Sequence, residues 1–217
     1  KTEFLIIGNG LAGTLLAFEM FKNNMDFRIM ASPRVSRASE VAAGMFNPLV
    51  FKRMTKSWMA DELLPVMKNK YLELEKLLKT RFYFEKPILK PLSEQEKQLW
   101  TERKNNPEFS RYIVSVEDKN PLVNLVSNSG YGVVKGSGYV DIHLFLKQAD
   151  RFFRERGLLY QSDFDVNRLK PEANIFETGV VSASKLVFCE GSHLMDNPLF
   201  SFVKLVPVKG EIIQIYA

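Results

Sequence analysis

The sequence has 217 residues, of which 46% are hydrophobic and 25% charged, as is typical of a soluble globular protein with a sizeable core. Its formal net charge of +5 comes from small basic groups interleaved with acidic residues, a pattern that argues against a nucleic-acid partner. A single cysteine and two histidines exclude an internal disulfide and argue against a metal site. Without an apolar run of about 18 residues, we expect a cytoplasmic protein with no integral membrane segment.

The N-terminal thirty residues predict a strand, a tight turn, a helix and a second strand. Residues 4–7 are wholly apolar, as in a central parallel strand covered on both faces. Gly8, Gly10 and Gly13 follow in Gly-x-Gly-x-x-Gly spacing, and an apolar helix is predicted over residues 14–21. The three glycines serve a tight turn, a close backbone approach to a pyrophosphate, and close packing of helix on strand. This context predicts a Rossmann-type dinucleotide site at the helix N-terminus.

The second predicted strand, residues 27–30, lacks the acidic residue that binds the adenosine ribose in such sites. Ala31 and Ser32 stand there instead, and Ser32 is the expected substitute donor. A small residue with an arginine close behind, here Arg34, also suits the 2′-phosphate of NADP. An NADP-dependent reductase therefore stays open as an alternative.

The rest of the chain alternates between two kinds of pattern. An amphipathic helix is predicted over residues 56–81, where Pro65 should kink or delay it. Short β-like pieces and charged helices follow, up to residue 135, and predict an antiparallel sheet. Asp141 then caps a helix over residues 142–156, and residues 185–191 form a buried strand that ends in glycine. A last strand is predicted from residue 206.

These patterns predict an α/β fold in which a nucleotide-binding domain with a parallel sheet is combined with part of a second, α+β domain with an antiparallel or mixed sheet. The nucleotide-binding domain is assigned to residues 1–81 and 136–200. The second domain is assigned to residues 82–135 and to residues 201–217.

Four separated segments resemble the D-amino-acid oxidase-like family of FAD-dependent oxidoreductases, and within it the glycine oxidase group. They are the glycine turn at residues 7–13, the small-residue segment 39–45, the Gly-Tyr-Val-Asp segment at 138–141, and the pair formed by 187–191 and 206–211. Their order matches the family along essentially the whole chain. The resemblance implies a flavoprotein that binds FAD in an extended form.

The resemblance also assigns residues to parts of the cofactor. It places the pyrophosphate over the glycine turn, and the ribityl chain and the flavin ring along the small-residue segment. It places adenine near the backbone of residue 166, and the phosphates near the end of the strand predicted at residues 185–191. The residues assigned in this way are Gly8, Gly10, Leu11, Ala12, Gly13, Ser39, Ala42, Ala43, Gly44, Met45, Val166, Cys189 and Gly191.

The chemistry implied by the resemblance is oxidation of a small amine or amino acid by hydride transfer to the flavin. In the family, the substrate-binding residues lie beyond the Pro-Val-Lys-Gly-Glu segment, here residues 207–211. We therefore expect a C-terminally truncated chain, and no catalytic residue is assigned. A non-catalytic nucleotide-binding module is a further alternative. The electron acceptor and the oligomeric state stay open.

Overall fold

The computed structural model describes residues 1–118, 129–169, 176–208, 210 and 212, without the side chains of residues 176 and 177. The chain divides into a discontinuous unit, Lys1–Ala43 with Ile142–Ala217, and an inserted unit, Gly44–Asp141. The inserted unit is longer than the predicted segment 82–135, because a long helix and three short strands before residue 82 belong to it.

The helices and strands in chain order are β1 (Thr2–Ile7), α1 (Leu11–Lys22), β2 (Phe27–Ala31), β3 (Met45–Phe46), β4 (Leu49–Val50), β5 (Thr55–Lys56), α2 (Ala60–Leu78), β6 (Tyr83–Glu85), β7 (Ile88–Pro91), α3 (Glu94–Lys104), α4 (Pro107–Ser110), β8 (Ile113–Glu117), β9 (Tyr131–Val134), β10 (Gly138–Val140), α5 (Ile142–Glu155), β11 (Leu159–Gln161), β12 (Phe176–Glu177) and β13 (Ser182–Phe188).

The discontinuous unit is built on a five-stranded sheet with the order β11-β2-β1-β13-β12. The first four strands are parallel, and β12 runs antiparallel to β13. β1 is central, and Leu5 and Ile6 are fully buried, as its uninterrupted apolar sequence predicts. Ile6 pairs in register with Ile29 of β2 on one side and with Val187 of β13 on the other.

Helices α1 and α5 pack together through aromatic side chains. The ring of Phe18 on α1 lies 4.6 Å from Phe153, 5.4 Å from Phe152 and 6.2 Å from Phe145, all on α5, between ring centroids. All four rings are buried, and burying each contributes roughly 1.5–3 kcal/mol to folding. This packing holds the two helices against each other, which matters because α1 begins at the predicted nucleotide site.

The inserted unit contains two three-stranded antiparallel sheets, β3-β10-β6 and β7-β9-β8, and the hairpin of β4 and β5. Its core includes Trp100, which is fully buried against Gly132 of β9. A Cβ on Gly132 would lie 2.3 Å from the indole ring, so the contact requires glycine. The combination of a parallel sheet with antiparallel sheets confirms the predicted α/β fold class.

Most predicted elements are present with shifted ends. α1 begins at Leu11, inside the glycine motif, rather than at residue 14. α2 runs from Ala60 to Leu78 and contains Pro65, so Pro65 does not delay its start. Residues 206–208, where the last strand is predicted to begin, are not in a strand, and most of the residues that follow lie outside the described part of the chain. Within the described ranges, no helix has both the length and the apolar character needed to cross a bilayer.

Candidate nucleotide-binding site

A cavity of about 650 Å³ opens at the carboxyl ends of the parallel strands in the discontinuous unit. β1 lies between β2, which follows it through α1, and β13, which the chain forms last, so the order of the strands reverses at β1. Open parallel sheets bind ligands at such a point. The volume falls in the ordinary range for small-molecule sites. Lining residues come from the glycine turn, from the segment after β2, and from the ends of β11 and β13.

The glycine turn requires glycine at two positions for steric reasons. Gly8 has a φ of +100°, and its N–H donates to the carbonyl of Met30 at 2.9 Å as the chain leaves β1. A Cβ on Gly13 would lie 2.0 Å from the carbonyl oxygen of Gly8, so a side chain there would push α1 away from the turn. Gly10 has room for a side chain, because a Cβ added there would only touch the Ser39 hydroxyl, at 3.5 Å. A ligand can therefore approach the backbone at Gly10.

Helix α1 presents its N-terminus to this cavity. Gly10 is the N-cap residue and supplies no capping side chain, and the N–H of Leu11 donates to the Ser39 hydroxyl at 3.2 Å. The first N–H groups of a helix have no partner within the helix, and the helix dipole is positive at that end. An anionic group bound beside Gly10, Leu11 and Ala12 would meet those groups.

An ion-pair network supports the turn from outside the motif. The Arg37 guanidinium donates to the Asp150 carboxylate of α5 at 3.1 and 3.0 Å and also pairs with Glu40. Both residues also bind Asn9. Arg37 donates to the backbone carbonyl of Asn9 at 3.1 Å, and the side-chain amide of Asn9 donates to Asp150 at 2.9 Å. Burial raises the pKa of Asp150, and the positive charge of Arg37 opposes that shift. Neither Arg37 nor Asp150 was predicted from the sequence, because no local motif marks them.

At the β2 end of the cavity, three side chains form a second polar group. The hydroxyl of Ser32 donates to the carboxylate of Asp163 at 2.5 Å, and the N–H of Arg34 donates to the Ser32 hydroxyl at 3.1 Å. The Nε of Arg34 lies 3.3 Å from the other oxygen of Asp163. Ser32 and Asp163 both line the cavity. Asp163 follows β11, and no local pattern in the sequence marks it as part of the site.

The end of β13 supplies the remaining wall. The N–H of Cys189 donates to the carbonyl of Ile7 at 2.7 Å, which extends the pairing of β1 and β13 by one residue. Burial raises the pKa of the Cys189 thiol, so at neutral pH it is protonated and a poor nucleophile. Among the described residues, no group of three or more His, Cys, Asp or Glu side chains is arranged to hold a metal ion.

The structure brings together eight of the residues assigned from the sequence. All eight line the cavity: Gly8, Gly10, Leu11, Ala12, Ser32, Ser39, Cys189 and Gly191.

The other assigned residues lie elsewhere. Gly13 packs beneath the turn, as described above. Ala42 and Ala43 are exposed at the end of the first segment of the discontinuous unit, and Val166 begins a 3₁₀ turn outside the lining set. Gly44 and Met45 belong to the inserted unit, where Met45 pairs with Tyr139. Their assignment to the cofactor stays a prediction.

No family model matches the sequence. Several solved structures do share its fold. Glycine oxidase from Geobacillus kaustophilus superposes with a TM-score of 0.71 at 18% sequence identity, covering 94% of this chain and 59% of that one. L-amino acid deaminase from Proteus vulgaris superposes with a TM-score of 0.60 at 15% identity, covering 91% of this chain and 50% of that one.

Iminodiacetate oxidase from Chelativorans sp. BNC1 superposes with a TM-score of 0.62 at 15% identity, covering 89% of this chain and 56% of the other. The chain therefore spans between half and three fifths of the length of these three proteins. At such identities the likeness concerns the fold alone. The chain has the fold of glycine oxidase and of the D-amino-acid oxidase-like proteins that its sequence motifs resemble.

Proposed function

We propose that the cavity binds FAD and that the protein is a flavin-dependent oxidoreductase acting on an amine or amino acid. The observation that carries the proposal is the glycine turn, in which Gly13 must be glycine for α1 to reach the turn and Gly10 leaves the backbone open to a ligand. The glycine turn follows the carboxyl end of β1, which is where parallel sheets of this kind bind dinucleotides. The shared fold with glycine oxidase favours a flavin over a nicotinamide cofactor.

The residues at the cavity fit the adenosine and pyrophosphate half of FAD. A pyrophosphate over Gly10 and Leu11 would accept hydrogen bonds from the first N–H groups of α1 and gain from the helix dipole. The network of Arg37 and Asp150 holds the turn in place through Asn9. When bound, FAD supplies the two-electron acceptor for a hydride from the α-carbon of the substrate. Residues 39–45, assigned to the flavin end by the resemblance, remain a prediction.

A visible absorption spectrum of the purified, dialysed chain, recorded with and without added FAD, tests the cofactor. We expect the flavin bands to persist through dialysis after loading with FAD. Riboflavin is the matched control ligand, because it carries the same ring without the pyrophosphate and adenosine, and we expect it to be lost. A chain that retains neither flavin, or that binds NADPH instead, would contradict the proposal.

The substrate class is tested on the FAD-loaded chain under anaerobic conditions. The named neighbours act on glycine, L-amino acids and iminodiacetate, so these compounds form the first set, together with simple primary and secondary amines. We expect at least one of them to bleach the flavin band in a chain that carries the substrate-binding residues, which the resemblance places beyond residue 211. If FAD is retained but no compound bleaches it, this chain binds flavin without oxidising an amine.

A further inference from the structure

An acidic residue that follows β11, Asp163, lies beside the end of β2, where the sequence has no acidic residue. β11 pairs with β2 in parallel, and its last residue, Gln161, pairs with Ala31 at the end of β2. The N–H of Ser162 then donates to the carbonyl of Ala31 at 3.1 Å. Parallel strands end at the same edge of a sheet, so Asp163 is brought beside Ser32, the position where the ribose-binding acid ordinarily stands.

The hydrogen bonds of this group show which atoms remain for a ligand. The hydroxyl proton of Ser32 is directed at Asp163, so Ser32 positions that carboxylate instead of donating into the cavity. An ionised carboxylate has about four acceptor sites. Ser32 occupies one of these sites, and Arg34 lies beside the other oxygen of Asp163 as an ion pair, so at least two acceptor sites remain for the two hydroxyls of a ribose.

The charges at this edge bear on the choice between ribose and ribose 2′-phosphate. Arg34 was the reason to keep an NADP-dependent enzyme open, but in the structure its guanidinium is paired with Asp163. A 2′-phosphate placed here would meet the negative charge of Asp163 and would have to compete with it for Arg34. The arrangement therefore disfavours a phosphorylated ribose.

We propose that Asp163 binds the adenosine ribose hydroxyls of the dinucleotide and makes the site reject a 2′-phosphate, with Ser32 as its positioning residue. The inference rests on the proposed function, since it takes the cavity to bind a dinucleotide. In this chain the ribose carboxylate therefore follows β11 instead of β2.

The test is a titration of the 217-residue chain, freed of any bound flavin, with three probes: FAD, ADP-ribose and 2′-phospho-ADP-ribose. We expect the wild type to bind ADP-ribose at least about tenfold more tightly than its 2′-phosphorylated form. Asp163→Asn should weaken FAD and ADP-ribose by about tenfold and should bind the 2′-phosphorylated form more tightly than the wild type does, because Arg34 is released. Adding Arg34→Ala to Asp163→Asn should remove that gain and leave FAD binding weak.

Asp26→Asn is the matched control. Asp26 also accepts a hydrogen bond from a hydroxyl, that of Thr2 at 2.9 Å, but it precedes β2 at the opposite edge of the sheet. We expect this variant to bind all three probes like the wild type. Thermal unfolding of each variant shows whether it is folded.

Each result separates this inference from the proposed function. If Asp163→Asn binds all three probes like the wild type, the role of Asp163 is wrong and the flavin proposal stands. If the wild type binds ADP-ribose selectively but not FAD, and Asp163→Asn loses the selectivity, the inference stands and the flavin proposal fails. A wild type that binds none of the probes would overturn both.

Discussion

Arg37 and Asp150 are 113 residues apart in sequence, and the guanidinium of one donates to both carboxylate oxygens of the other. Both side chains are only 18% exposed. Each also binds Asn9, the residue between the first two glycines of the turn. This pair therefore ties α5 to the glycine turn, so a change on α5 should affect nucleotide binding without touching the motif.

We expect Asp150→Ala to lower the free energy of unfolding by about 2–3 kcal/mol, because it removes a mostly buried charge partner of Arg37 and an acceptor of Asn9. It should also weaken FAD binding, because the turn loses its support. Urea unfolding and an FAD titration measure the two effects. Glu155→Ala is the control on the same helix, because Glu155 pairs with Arg151 in a solvent-exposed position, and it should change neither quantity. Equal effects of the two variants would contradict the role of the Arg37–Asp150 pair.

Gly10→Ala and Gly13→Ala should separate ligand binding from folding. Gly10 has an ordinary φ of −66°, and its added methyl group would only touch Ser39, so we expect normal stability and about a tenfold weaker affinity for FAD. Gly13→Ala would place a methyl group against the Gly8 carbonyl and should cost about 3 kcal/mol or more of stability. Thermal unfolding and FAD titration of both variants decide this. A Gly10→Ala variant that binds FAD like the wild type would count against ligand approach at Gly10.

The hydroxyl of Ser39 caps the N–H of Leu11, so Ser39→Ala should lower the free energy of unfolding by about 1 kcal/mol. The expected cause is a first-turn N–H of α1 left without its partner. Ser39→Thr keeps a hydroxyl and serves as the matched control, which should recover most of the loss in urea unfolding. If threonine is as destabilising as alanine, the hydrogen bond is not the cause.

Tyr71 of α2 should make the inserted unit sensitive to alkaline pH. Burial raises the pKa of Tyr71 from 10.0 to about 12, so the folded state keeps the phenol proton that the unfolded chain releases. The stability from this group is complete below pH 10.0 and is lost as the pH rises towards about 12. Tyr71→Phe should therefore lose less stability than the wild type between about pH 9 and about pH 11 in urea unfolding. If the difference in the free energy of unfolding between the two proteins does not change with pH, this effect is excluded.

Local signals in the sequence were sufficient for the elements that carry the glycine turn. The apolar run at residues 4–7, the spacing of Gly8, Gly10 and Gly13, and the helical period after residue 141 all depend on neighbours within a few residues. The fold class followed from the order of these elements. Element ends were less accurate: α1 starts within the glycine motif, because its first turn is formed by residues that also serve the turn.

The partners of those residues depended on the tertiary structure. Ser32 and Asp163 are 131 residues apart, and they meet only because β11 adds to the sheet beside β2. No local pattern in the sequence indicates which strand will lie next to β2, since parallel neighbours are joined through long connections. The sequence by itself therefore determined the glycine turn, whose spacing predicts a dinucleotide ligand. The tertiary structure decided which carboxylates stand beside the turn and beside Ser32, namely Asp150 and Asp163, because long-range helix and strand packing brings them there.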